Sequence, residues 1–144
     1  MRYNCEVQIN KPLAEVVSQF EKEENLYKWM EGLKSIEPIS GTKGEEGFKC
    51  KMVFEHKGKE MELIETNLEL DLPRIARFSY ESPKGYNEVA INISEIDNQT
   101  TKYSSDNYFE FQGMMKWFSF LMKGMFKKQS MKYLIAFKNF VESE

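Results

Sequence analysis

The chain has 144 residues, 41% of them hydrophobic, and a net charge of −3, which is the composition of one globular domain spanning residues 1–144. This composition excludes a disordered chain, and no apolar run is long enough to cross a membrane. The amino terminus lacks the apolar stretch of a secretory signal, so we expect a cytoplasmic protein. Cys5 and Cys50 belong to no metal or redox spacing. We expect free buried thiols, in preference to a disulfide between them, and neither metal nor cofactor.

The first forty residues predict one strand followed by two short helices. Residues 2–9 alternate between polar and apolar side chains, which is typical of a strand with one buried face. Pro12 is well placed to begin a helix, and residues 13–20 carry apolar side chains at helical spacing. A second short helix is expected between about residues 25 and 32, with Trp29 on its apolar face.

The middle of the chain, from residue 33 to residue 113, is almost entirely strand-like. Turn residues divide it into six segments, and the turns lie at residues 40–44, 57–59, 72–74, 82–85 and 97–99. Within each segment one face is apolar and the other is charged or polar. This pattern predicts an antiparallel meander with short hairpins and one solvated face.

One of these segments, residues 60–71, changes phase along its length. Met61 and Leu63 occupy odd positions, whereas Leu68 and Leu70 occupy even ones. A β-bulge near residues 64–66 would restore a single apolar face by adding one residue, and it would also bend the strand. A sheet needs such a bend before it can wrap around a helix or a ligand.

The last segment, from Met114 to about Val141, is the longest periodic element. At about 100° per residue its apolar side chains cover one broad face, with most lysines opposite. A helix of this length spans roughly 42 Å, which matches the roughly 40 Å of a twelve-residue strand, so it can lie along the concave face of the sheet. Residues 113–141 contain six lysines and no acid, so this segment carries +6 and the rest of the chain −9.

The order of these elements resembles that of the START-like or SRPBCC superfamily, which includes polyketide cyclases, lipid-transfer domains and pollen-allergen-like proteins. The resemblance covers the entire chain, and the residues that carry it are 3–12, the helical segment 13–20, Trp29 and the turn Leu72-Pro73-Arg74. It implies an α+β helix-grip fold, in which a curved seven-stranded antiparallel sheet wraps around a long C-terminal helix. It also implies a ligand cavity between the sheet and that helix, without implying any one reaction.

Thirteen residues on the inward phase of the strands, on the second short helix and on the apolar face of the last helix are expected to line this cavity. They are Trp29, Phe54, Phe78, Tyr80, Ile91, Tyr103, Ser105, Asn107, Phe109, Met114, Phe118, Leu121 and Met125. Methionine is frequent on the last helix, where it serves equally as core filler or as an adaptable ligand wall. Ser105 and Asn107 interrupt an otherwise aromatic series, so they either orient a ligand's polar group or face outward through a bulge.

Binding or transport of a hydrophobic small molecule, either lipid-like or an aromatic metabolite, is the leading functional hypothesis. The first alternative is a polyketide cyclase or dehydratase-like enzyme, in which His56, Glu65 or Tyr103 would handle protons. An inward carboxylate or histidine with a perturbed pKa would favour it, although His56 is expected to be exposed beside a turn. The second alternative is a chaperone-activator-like protein-interaction domain, which a filled core would favour.

Partners other than a small molecule are also constrained by the charge pattern. The acidic body and the pI of about 5.4 argue against nucleic acid, and they favour a solvated role for the lysines of the last helix. A basic amphipathic helix with aromatic residues near its start can also touch an anionic membrane surface transiently. We rank that contact second to simple solvation.

Overall fold

The computed structural model describes residues 1–144, apart from the side chain of Met115. It confirms the predicted fold class, with one strand and two short helices followed by six strands and a long helix. In chain order the elements are β1 (Arg2–Ile9), α1 (Leu13–Glu21), α2 (Glu23–Trp29), β2 (Leu33–Ser40), β3 (Lys49–His56), β4 (Lys59–Asp71), β5 (Ile75–Ser82), β6 (Gly85–Asp97), β7 (Thr100–Phe111) and α3 (Met115–Ser143).

All seven strands form one antiparallel sheet in the order β1-β7-β6-β5-β4-β3-β2. Strands β2 to β7 are a meander in which each strand pairs with the next, because the short turns predicted from the sequence leave no room for a crossover. Strand β1 pairs with β7, so β1 and β2 lie at opposite edges of the sheet. Helices α1 and α2 connect these two edges.

The main hydrophobic core lies where the second half of α3 packs against β1, β7 and the two short helices. Phe137 is fully buried at this junction, and so are Ile9, Val16 and Val141. The polar–apolar alternation of β1 explains this arrangement, because it turns Tyr3, Cys5 and Ile9 toward the helix and leaves the intervening side chains in solvent. The core therefore anchors one half of α3 firmly to the sheet.

The bulge predicted near residues 64–66 lies further along the chain. The register between β4 and β5 shifts between Asn67 and Glu69. Ile64 is half-buried on the face away from the cavity. Its apolar side chain therefore suggested, wrongly, that the even positions begin to face inward at residue 64. The odd positions therefore face inward as far as Asn67, which brings the carboxyl group of Glu65 to the concave side.

Among the residues that the structure describes, no helix is both long enough and apolar enough to span a membrane.

Candidate functional site

A cavity of about 880 Å³ lies between the concave face of the sheet and the helices. Strands β1 to β7 and all three helices contribute to its wall, which is mostly apolar. Ligand sites for small organic molecules usually enclose about 300–1,000 Å³ and combine apolar walls with a few polar groups. The cavity therefore has the size and surface chemistry of a small-molecule site.

Nine of the thirteen residues expected at the cavity lie on its wall. They are Trp29, Phe54, Phe78, Tyr80, Ile91, Tyr103, Ser105, Asn107 and Phe109. Eight of the nine belong to strands, where side chains alternate strictly between the two faces, so one inward residue fixes the direction of the others.

The other four expected residues, which are the N-cap of α3 and three residues of its first half, do not line the cavity. Met114, Phe118, Leu121 and Met125 have exposed fractions of 77%, 49%, 68% and 58%, and they face solvent. The part of the wall that α3 contributes is further along this helix, and it consists of Phe126, Gln129, Ser130, Tyr133 and Leu134.

These four residues face solvent because the apolar face of α3 changes direction along the helix. At about 100° per residue, the apolar residues of its first half point in roughly the opposite direction from the buried Leu134, Phe137 and Val141 of its second half. One straight helix can bury only one of these two faces. The second half packs against β1 and the core, so the apolar face of the first half is left outside.

A row of polar side chains crosses the concave face within the cavity wall. Cys50, Glu65, Tyr80 and Asn87 are register partners on the adjacent strands β3, β4, β5 and β6, and all four line the cavity. The Cys50 thiol donates a hydrogen bond to Glu65 Oε1 at 3.6 Å, and Tyr80 is the register partner of Glu65 on the next strand. We call these four residues the polar row.

Burial sets the protonation of this row. Desolvation raises the pKa of Glu65, an effect that the hydrogen bonds from Tyr80 and Cys50 partly offset. Desolvation and the neighbouring Glu65 raise the pKa of Cys50 to about 12, and the same causes raise the pKa of Tyr80 well above its usual value. At neutral pH the thiol and the phenol are therefore neutral hydrogen-bond donors, and Glu65 is the acidic group of the row whose pKa is shifted upward.

Replacing Glu65 by glutamine is expected to stabilise the protein relative to the wild type increasingly as the pH rises. The folded-state pKa of Glu65 is raised, so ionisation in the folded state costs free energy above the unfolded pKa of about 4.3 and costs none below it. The melting temperature of the variant minus that of the wild type should therefore increase as the pH is raised from acidic to mildly basic values. The control is Glu62→Gln, which changes an exposed carboxyl group on the same strand. If the difference in melting temperature between Glu65→Gln and the wild type does not change with pH, the pKa of Glu65 is not raised in the folded state.

Ser105 and Asn107 face the cavity, so the outward alternative does not apply to them. Their exposed fractions are 1% and 5%. The Asn107 amide donates hydrogen bonds to the Ser105 hydroxyl oxygen at 3.0 Å and to the Ser105 carbonyl oxygen at 3.3 Å. These bonds hold the amide in a fixed orientation, as a second polar point on the wall.

His56 and Tyr103 are the other two candidates for proton handling. His56 is exposed at the end of β3 and does not reach the cavity wall. Tyr103 lies on the wall, but burial raises its pKa far above neutral pH, and its ring packs 4.7 Å from that of Phe137. Of the three residues named for an enzyme, Glu65 is therefore the one suited to proton exchange. The described residues contain no cluster of three or more His, Cys, Asp or Glu side chains that could hold a metal ion.

Solved structures with this architecture cover nearly the whole chain. The Zhui aromatase/cyclase from Streptomyces sp. R1128 is 10% identical, with a TM-score of 0.79 over 99% of this chain and 93% of that one. A START superfamily protein from Mycobacterium smegmatis is 13% identical, with a TM-score of 0.76 over 99% and 97% of the two chains. The chain has the START-like helix-grip fold.

A third helix-grip structure contains small aromatic molecules. Norcoclaurine synthase from Thalictrum flavum, in complex with dopamine and hydroxybenzaldehyde, is 13% identical, with a TM-score of 0.74 over 100% of this chain and 87% of that one. No protein-family profile matches the sequence, and no curated protein matches it either. At these identities the likeness establishes the helix-grip fold, and the activity has to be argued from the site.

Several wall residues of this helix-grip cavity were missed from the sequence. The sequence indicates Glu65 only as a candidate for proton handling, because it predicts the bulge near residues 64–66, whereas the register shifts between Asn67 and Glu69. Asn87 continues the inward series of Val89 and Ile91, and Tyr3 opens the inward series of β1, so strict alternation could have found both. The wall residues of α3 around Ser130 could not be found in the same way. Apolar residues cover so much of the surface of α3 that the sequence does not show where its buried face changes direction.

Proposed function

We propose that the protein binds a hydrophobic small molecule, lipid-like or aromatic, in the helix-grip cavity and acts as its carrier. The observation that carries the proposal is the mostly apolar cavity of about 880 Å³. Protein interiors are normally close-packed, and maintaining a large internal volume costs stability, so a function that needs the volume is the economical explanation. The cavity does not favour the protein-interaction alternative, which was expected to have a filled core.

The polar row narrows the chemistry of this ligand. It crosses the sheet side of the wall, whereas Phe126, Tyr133 and Leu134 of α3 lie on the helical side. A buried hydrogen-bonding group that loses its partner costs about 1–3 kcal/mol. The best match is therefore a molecule with an apolar body and one hydroxyl, carbonyl or carboxyl group directed at Glu65 and Tyr80.

The test is a titration with 1-anilinonaphthalene-8-sulfonate, whose fluorescence increases in apolar surroundings, followed by competition with dodecanoic acid and with 2-naphthol. We expect one saturable site per chain and displacement by at least one of the two competitors. Fluorescence that rises without saturation, or that neither competitor reverses, would refute binding in the cavity.

A second candidate function, proton transfer on a carbonyl compound held in the cavity, is favoured by one observation. Glu65 is a carboxyl group inside an apolar cavity with a raised pKa, and general acid–base catalysis needs a pKa close to the operating pH. The Glu65 carboxylate would accept a proton from the carbon beside the carbonyl group, which leaves an enolate. The resulting carboxylic acid would return the proton to carbon or oxygen. The aromatase/cyclase among the structural neighbours shares the fold in which such a step would take place.

Deuterium exchange separates the two functions. In D₂O, a catalytic Glu65 should accelerate exchange of the protons beside the carbonyl group of 1-tetralone, and Glu65→Gln should reduce this acceleration by about 10²–10⁴-fold. Binding of 1-anilinonaphthalene-8-sulfonate should remain within tenfold of the wild type. Glu62→Gln, outside the cavity, is the matched control. If the wild type does not accelerate exchange, the enzyme candidate fails and the carrier function stands.

A further inference from the structure

The first half of α3 presents large apolar side chains to solvent. We call this surface the exposed apolar patch; its members are Met114, Trp117, Phe118, Phe120, Leu121 and Met125. Trp117 and Phe120 are its most exposed aromatic members, with exposed fractions of 78% and 74%. Contiguous apolar surface of this kind is uncommon on soluble monomers, and it usually marks an interaction site.

The charges that α3 itself places around the patch are all positive. Lys116, Lys123, Lys127 and Lys128 lie among or beside the patch residues, and residues 113–141 contain no acid. At about 100° per residue the first three lysines form a row along one flank of the patch, and Lys128 lies within its face. None of the ion pairs found among the described residues involves these four lysines.

The patch adjoins one end of the cavity. Phe126 directly follows Met125, lines the cavity, and packs its ring 5.2 Å from that of Phe111, which is also on the wall. Gly85, in the β5–β6 hairpin, is the register partner of Phe111 and lies on the same part of the wall. A surface bound to the patch would therefore lie next to this end of the cavity.

We propose that the first half of α3 docks on the surface of an anionic lipid bilayer. Trp117 and Phe120 would enter the boundary between headgroups and acyl chains, and the flanking lysines would contact the anionic headgroups, as in interfacial amphipathic helices. The positive charge of the patch is complementary to an anionic bilayer. It disfavours a second copy of the chain, because two patches face to face would bring eight unpaired lysines together. The docking proposal depends only on the exposed apolar patch and its lysines. Passage of a ligand from the bilayer to the cavity also depends on the proposed function.

Co-sedimentation with vesicles tests the docking. We expect the wild type to bind vesicles of phosphatidylcholine and phosphatidylserine, to bind phosphatidylcholine vesicles at least tenfold more weakly, and to dissociate as salt is added. The double variant Trp117→Ser/Phe120→Ser should lose at least tenfold in vesicle affinity. The matched control is Ile39→Ser/Ile96→Ser, which removes two exposed apolar side chains elsewhere on the surface and should bind like the wild type.

Two results would overturn the docking. One is equal affinity of the wild type and Trp117→Ser/Phe120→Ser for the anionic vesicles. The other is a wild-type dimer in sedimentation equilibrium that this double variant converts to a monomer, because the patch would then bind a second copy. The double variant should still bind 1-anilinonaphthalene-8-sulfonate in solution, so failure of docking can be distinguished from failure of the proposed function.

Discussion

Replacing Phe137 by alanine is expected to lower the free energy of unfolding by about 3–5 kcal/mol. Phe137 is fully buried, and its ring lies 4.7 Å from that of Tyr103, 5.1 Å from that of Trp29 and 5.9 Å from that of Phe20. It therefore joins α3 to β7 and to both short helices. Alanine is the best helix former, so the loss measures packing and not helix propensity. Urea denaturation followed by circular dichroism gives the value.

The control for this prediction is Ile135→Ala on the same helix. Ile135 is 44% exposed, and substitutions at such surface positions usually change stability by less than about 0.5 kcal/mol. If Phe137→Ala costs no more than Ile135→Ala, the second half of α3 does not anchor to the sheet as described. Domains are stable by only about 5–15 kcal/mol, so the expected loss is a large share of the total.

Filling the cavity is expected to weaken binding of 1-anilinonaphthalene-8-sulfonate at least tenfold, which corresponds to about 1.4 kcal/mol. The proposed variant is Leu63→Trp/Val89→Trp. Both residues line the cavity, on strands β4 and β6. The two indole rings would take up internal volume that a ligand needs, and because that volume is available they should not disturb the surrounding packing. Fluorescence titration gives the affinity, and thermal unfolding gives the stability.

The matched control is Glu62→Trp/Ile96→Trp, which adds two indole rings at exposed positions on the same two strands. It should bind the probe as the wild type does. Unchanged binding by the folded cavity variant would show that the probe binds elsewhere. A cavity variant that unfolds at a much lower temperature than the control would show that the volume is smaller than described.

The sheet was predictable because the sequence pattern of its strands is simple. Side chains alternate with a period of two, so turns such as Lys57-Gly58-Lys59 and inward residues such as Phe78 and Ile91 follow from the sequence. The order of the elements then favoured the helix-grip fold, which the structure confirms. In β4, by contrast, Ile64 is apolar on the outer face and Glu65 is polar on the inner face, so hydrophobicity placed the bulge incorrectly.

The helical side of the cavity was not predictable in the same way. The apolar residues of α3 cover more of its circumference than one contact face can bury, and the residues around Phe118 and around Phe137 point in roughly opposite directions. Which face is buried depends on where β1 and the short helices hold the helix, and this is tertiary information. The failed prediction at Phe118 and Met125 is also informative, because an apolar face left outside needs a partner.

The polar row links the two candidate functions. Its carboxyl group, on Glu65, is expected to orient a bound ligand if the protein is a carrier, and to exchange a proton with the ligand if it is an enzyme. The same side chain therefore has a role under both hypotheses, and the exchange rate of 1-tetralone distinguishes them. Membrane docking through Trp117 and Phe120 is compatible with either function.

Native mass spectrometry of the purified protein, followed by denaturing extraction, tests the central claim most directly. The proposed function predicts one apolar molecule per chain, either co-purified or taken up when dodecanoic acid and 2-naphthol are added, and released on denaturation. A chain that carries nothing on purification and takes up neither compound in excess would contradict the claim that its cavity binds hydrophobic small molecules.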